Sequence, residues 1–222
     1  MGLTPGRKRS AESRLAILAA ALELVGEVGF AGLTIEGIAA RAGTGKQTVY
    51  RWWPSKADVL LDALATQADL QIPIPDEGSY AADVHKFLTA TFALGRQGWV
   101  VEVLRVLMAQ AQIDEEFGER FRAEFLQRRR DALGVIVDRA RERGDLPASP
   151  PPGLLADLVF GVIWYRVLAR HRPLAEGLPD ELTATLTGAA RPGARPAQPH
   201  SAQPQSAHSH SAQPFPTQSF PA

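Results

Sequence analysis

Apolar positions along this chain recur at helical spacing almost from end to end. Leu15, Leu18, Leu22 and Val25 stand three and four residues apart, which predicts an amphipathic first helix ending near Gly26 and Gly29. Phe30 and Leu33 follow as apolar plugs. Thr34 has the chemistry of an N-cap, and Glu36 places a carboxylate in the first turn, where the helix dipole favours it. A second helix is therefore expected up to Ala42, stopping at Gly43. A third is expected over about Lys46 to Trp52, broken by Pro54. Ser55 with Asp58 three residues later forms a capping box for a fourth, whose apolar positions are Leu60, Leu61 and Leu64.

Gln71–Gly78, QIPIPDEG, reads as a proline-bearing connector. Long helices are expected at about 79–95, 99–111, 114–143, 152–171 and 179–190, with Gly144–Gly153 and its four prolines separating the middle pair. No stretch alternates as a strand does. From Gly188 the chain turns to Pro, Gln, Ser, Ala and His, and SAQP occurs at 201–204 and again at 211–214. Low hydrophobicity and seven prolines after residue 190 predict a disordered tail. The pattern divides the chain into 1–56 (with a basic arm at 1–10), an all-helical region at 57–190, and the tail at 191–222.

Charge sharpens this division. The formal total is zero, yet residues 1–56 hold eight Lys/Arg against four acids, a net of +4. Residues 57–190 carry fourteen basic and twenty acidic side chains, a net of −6. A basic head on an acidic body suits a polyanionic partner at one end. Cysteine is absent, which removes disulfides, thiolate zinc sites and cysteine nucleophiles. The polar, basic start predicts no secretory signal. The longest mostly apolar run, Leu158–Ala169, contains Arg166 and is shorter than the ~20 residues of a spanning helix. No membrane partner and a cytoplasmic location are the expectation.

The basic head contains the sharpest chemistry, in Thr34–Lys56, TIEGIAARAGTGKQTVYRWWPSK. Gly43 permits a tight turn, Ala39 a close helix crossing, and Ile35, Ile38 and Val49 a shared core. Lys46, Gln47, Thr48, Tyr50 and Arg51 are left on or near the outer face. Gln can bond two edges of adenine, Lys and Arg can reach guanine acceptors, and Thr can offer a methyl to thymine. Lys46, Gln47 and Thr48 are the expected base readers, with Arg51 beside them. Tyr50 and Lys56 are placed for phosphates, and Trp53 for the core. Arg7, Lys8 and Arg9 read equally well as a minor-groove arm or as a solvated start.

These residues resemble the DNA-binding signature of the TetR/AcrR family of bacterial transcriptional regulators. The resemblance lies in Ala42-Gly43, Thr48, Tyr50, Trp53 and Pro54-Ser55-Lys56, and it extends over about Leu15 to Leu64. Gly45 departs from the Ser-like cap common in the family, and Trp52 falls where family members vary. The resemblance implies an all-α fold: an N-terminal three-helix helix-turn-helix domain, then a C-terminal helical ligand-binding and dimerisation domain. It adds Thr34 to the DNA-binding set. It also implies a repressor that leaves its operator when a small molecule binds.

The residues of the larger region bear on those implications. Leu154–Ala169 is apolar on nearly all sides, so it needs more than one buried face: core and partner subunit, or the centre of a monomer. Thr183, Leu182, Leu186 and Ala189 offer a smaller second surface, so a homodimer through 152–190 is expected. Phe117, Phe121 and Phe125 lie on one stripe. Trp99, Leu104, Met108, Phe121 and Trp164 are the candidate pocket, for an apolar or aromatic ligand. His85 and His171 lack the Glu three residues earlier that a di-iron bundle needs, and no acid or His at helical spacing completes a site. His200, His208 and His210 lie in the tail. No nucleotide or hydrolase motif is present, no cofactor or metal is expected, and Arg128-Arg129-Arg130 reads as a solvated face. The reading is a homodimeric regulator on a roughly palindromic double-stranded operator, not an enzyme. The alternative is a helical enzyme or small-molecule carrier with a vestigial head.

Overall fold

The computed structural model describes residues 5–148, 150–170 and 172–189. Among these the chain is helical, with no strand. The elements are α1 (Pro5–Gly32), α2 (Ile35–Arg41), α3 (Lys46–Tyr50), α4 (Lys56–Gln71), α5 (Tyr80–Gly95), α6 (Gly98–Ile113), α7 (Glu115–Phe121), α8 (Arg128–Glu142), α9 (Pro152–Ala169) and α10 (Leu178–Ala189). A π-helical turn, Arg122–Gln127, joins α7 to α8 without a break. The tail at 191–222, with His200, His208 and His210, and likewise His171, lie outside the described residues.

The head forms because its helix ends are chemically marked. Gly29 sits at φ 67°, ψ 176°, which kinks α1 and turns the chain toward α2. The kink falls where the sequence placed the helix end, but a last turn continues to Gly32. At its other end α1 begins at Pro5, so Arg7, Lys8 and Arg9 belong to the helix backbone instead of preceding it as an arm. Thr34 Oγ1 accepts from the Gly37 N–H at 3.0 Å and starts α2. Ser55 Oγ accepts from the Asp58 N–H at 3.3 Å and starts α4. Each such cap contributes about 1 kcal/mol.

Ile17, Leu18, Ala21 and Val25 of α1, Ile35 and Ile38 of α2, Val49 of α3 and Leu60 of α4 close one apolar centre. Beyond it, α5 packs on both α8 and α10, α6 packs on α1, α4 and α9, and α9 lies against α8. Arg143 ties the connector to this body, reaching the fully buried Asp83 at 2.8 Å, Asp145 at 2.9 Å and Asp76 at 3.3 Å.

By length and composition alone, Ser10–Gly32 and Pro152–Ala169 could each cross a membrane, contrary to the sequence expectation for the second. The first buries Ile17, Leu18, Ala20, Ala21 and Val25 in the core. The second has one face in the body core, through Leu155, Ala156, Val159, Ile163 and Val167. Its opposite face, Leu154, Leu158, Tyr165 and Leu168, is about half or more exposed.

Candidate DNA-reading head and apolar cavity

The turn between α2 and α3 requires Gly43, whose φ of 64° is left-handed and strained for any side chain with a Cβ. The Thr44 N–H returns to Ala39 O at 2.9 Å and closes the α2 end. Val49 is fully buried, and Trp53 nearly so. The Trp53 indole Nε1 donates to Asp62 at 3.0 Å, and Asp62 also accepts from Arg14. The recognition helix is thus held from beneath by one side chain and just past its end by another.

That anchoring leaves Lys46, Gln47, Tyr50 and Arg51 exposed together, with Thr48 half-buried between them and Thr34 exposed nearby. Lys46 lies 3.7 Å from Glu36, a loose surface pair that a phosphate can displace. The Arg51 guanidinium sits 5.2 Å over the Trp52 ring, which gives the half-buried Trp52 the role of orienting a cation.

Lys56 does not share this face. Its Nζ donates to Phe30 O at 2.8 Å and Leu33 O at 2.9 Å, and lies 4.3 Å from the centre of the Phe30 ring. It ties the start of α4 to the turn between α1 and α2. Arg41 is also engaged, on the surface of the head, gripping Glu27 at 2.8 and 2.9 Å and Glu23 at 3.2 Å. These bonds hold the Glu27 carboxyl below its ordinary range and raise the guanidinium. Arg41, Glu23 and Glu27 are all counted in the +4 of residues 1–56, so these pairs leave that excess unchanged.

In the body, a cavity of about 470 Å3 lies between α4, α5, α6, α8 and α9. Leu64, Phe92, Leu104, Met108, Phe125, Phe160, Ile163 and Trp164 supply much of its wall. Of the sequence candidates, Leu104, Met108 and Trp164 line it, and two do not. Phe121 is buried between Phe117 and Phe125 in a ring stack, with its edge toward Trp164 at 6.2 Å. Trp99 turns its indole N–H to Gln97 at 3.2 Å. Phe125, four residues after Phe121 on the same stripe, occupies the wall instead.

Arg128-Arg129-Arg130 is a solvated face only in part: Arg128 is exposed, whereas Arg129 and Arg130 line the cavity. Arg129 donates to Ala68 O at 3.2 Å and pairs with Asp69. Arg130 pairs with Asp157 at 2.6 Å. Burial lowers the Arg129 pKa, its largest influence, against the opposing pull of Asp69. His85 pairs with Asp180 of α10 at 2.8 Å, ninety-five residues away and outside helical spacing. Among the described residues no group of three or more His, Asp or Glu could hold a metal.

Both parts of this arrangement have counterparts in known proteins. Residues 17–63 match the bacterial regulatory proteins of the tetR family, and residues 74–186 match a tetracyclin repressor-like C-terminal domain. The helix-turn-helix-type transcriptional regulator YdeS of Bacillus subtilis is 35% identical over 165 residues, 73% of this chain and 82% of its own. AqdR of Rhodococcus erythropolis, also a helix-turn-helix-type regulator, is 25% identical over 80% of this chain and 85% of its own. The crystal structure of the TetR family transcription regulator SCO0332 superposes with a TM-score of 0.72 at 28% identity, covering 82% of this chain and all of that one.

Proposed function

Because this chain belongs to the tetR family of bacterial regulatory proteins, and is therefore a DNA-binding transcriptional regulator, we propose that it is a cytoplasmic homodimeric repressor released from its operator by a small apolar or aromatic molecule. The observation that carries the reading is the cluster of exposed Lys46, Gln47, Tyr50 and Arg51 over the buried Val49 and Trp53. Lys46, Gln47 and Thr48 read base edges near the N-terminus of α3. Thr34 and Tyr50 fix its register on the phosphates, with Arg51 beside the base readers. Lys56 takes the role of positioning α4, in place of the phosphate contact expected from sequence.

The dimer forms through 152–190, with Leu154, Leu158, Tyr165 and Leu168 of α9 covered by their symmetry mates. A two-fold axis then sets the two α3 helices about 34–36 Å apart, or a multiple of that, over successive major grooves of a roughly palindromic site. Ligand in the cavity touches Leu64 of α4 and Ile72 at its end, and α4 leads directly back to α3. Release requires that ligand bind the non-DNA arrangement more tightly, because only that difference shifts the equilibrium.

The similar proteins are transcriptional regulators, which favours a non-enzyme over a helical enzyme or carrier with a vestigial head. A reporter driven by the DNA flanking the gene, with and without the protein, tests repression. Higher expression without the protein supports it, whereas lower expression makes the protein an activator and equal expression removes this target.

A further inference from the structure

Three arginines stand in sequence at the start of α8, and two carboxylates serve them. Asp69 accepts from both Arg128, at 3.3 Å, and Arg129. Asp157 is paired with Arg130. Asp131 on the same turn is engaged by Gln127 at 2.7 Å. Three guanidinium charges thus meet two carboxylates, and two of the three border the cavity, where Asp157 and Thr91 are the other polar residues in a lining that is otherwise apolar. Arg129 is the deeper of those two, with its side chain 12% exposed, and it shares its acid with a second cation. A cation drawn out of water with half a counter-ion favours an incoming anion.

We propose that the cavity takes an amphiphilic anion, with an aliphatic or aromatic body against Phe92, Met108, Phe160 and Trp164 and a carboxylate or phosphate head on Arg129 and Arg130. The proposal rests on the cavity being the regulatory ligand site and names its chemistry. It also supplies a trigger. The Ala68 carbonyl and the Asp69 carboxylate that Arg129 holds lie in the last turn of α4. A ligand head that draws Arg129 away frees that end of the helix leading to the reading head.

The test is calorimetric titration of the full chain with decanoate, decyl phosphate and 1-decanol, each below its aggregation limit. The two anions separate carboxylate from phosphate as the preferred head. At least one anion is expected to bind about tenfold or more tighter than the alcohol, the margin of a charge-assisted hydrogen bond. Arg129→Gln should erase that margin while leaving decanol binding unchanged. Asp69→Asn, which removes the competing carboxylate, should tighten the anion further, a gain that a damaged fold would not give. Equal binding of alcohol and anions, tighter binding of the alcohol, or a margin that survives Arg129→Gln overturns the anionic head alone. Failure of all three probes to bind overturns the proposal together with the reading of the cavity as a ligand site.

Discussion

Arg120 of α7 grips Asp58 in the first turn of α4, donating through Nε at 3.0 Å, with Nη2 2.9 Å from the same oxygen. Asp58 is almost completely buried, and its other oxygen accepts from the Ser55 hydroxyl at 2.6 Å. The cap of α4, Ser55, and its tether to the body, Asp58, are thus joined to each other. The far end of α4 is held from the same continuous helix, through Arg128 and Arg129 on Asp69. Between the two grips lies the π-helical turn, whose Phe125 and Leu126 line the cavity. Such turns are places where a helix can change register at modest cost.

Arg120→Gln should disconnect cavity from head. DNA affinity is expected to stay within about threefold of wild type while ligand no longer releases DNA. Stability should fall by about 1–3 kcal/mol, because the buried Asp58 loses its charged donors. Titrating bound, labelled operator with ligand reads the coupling, and denaturant unfolding reads the stability. Unaltered release in the variant would mean the signal takes another route.

Lys56→Met and Tyr50→Phe should separate structure from recognition. The first removes the donor from Phe30 O and Leu33 O, and should cost about 1–3 kcal/mol of stability before any effect on contacts to DNA. The second removes an exposed hydroxyl, and should leave stability within about 0.5 kcal/mol while weakening DNA binding about tenfold. Thermal unfolding paired with anisotropy on operator DNA distinguishes them. A Lys56 variant of normal stability that binds DNA poorly would restore it to the phosphate contacts.

Leu158→Arg should break the dimer. The exposed apolar stripe on α9 has the length of four turns, and a charge at its middle would be buried without a partner. Sedimentation should show a monomer, and operator affinity should drop at least a hundredfold as the second half-site is lost. A dimer of unchanged strength would place the interface elsewhere.

Tyr80, buried at the start of α5, should produce an alkaline limb in stability. Burial raises its pKa to about 12 from an ordinary 10. The neutral phenol is favoured in the folded state, so its contribution is intact below pH 10 and is lost as pH rises through 12. Tyr80→Phe should lessen the loss over that window in a melting-temperature series. An identical limb in the variant would assign it to other groups.

The helices and the reading head were legible in the sequence because their signals are local. Thr34, Ser55 and Gly43 each act on neighbours within a few residues, Val49 follows from spacing, and Trp53 from the family resemblance. The contacts that spacing does not show are those with remote partners. Lys56 finds carbonyls twenty-three and twenty-six residues away, Arg129 finds Asp69 sixty away, and His85 finds Asp180 ninety-five away. Periodicity places a side chain on a face, but cannot say which backbone or acid will be folded against it. The cavity shows the same limit: Phe121 and Phe125 share a stripe, and only the packing of α9 decides which one faces the space.

The central claim is tested most directly by footprinting the DNA that flanks the gene with the purified full chain. One or more short, two-fold symmetric protected sites are expected. That protection should vanish on Gln47→Ala with Tyr50→Ala while the helical circular dichroism is unchanged. No protected site, or uniform coating of all DNA that survives both substitutions, would contradict it.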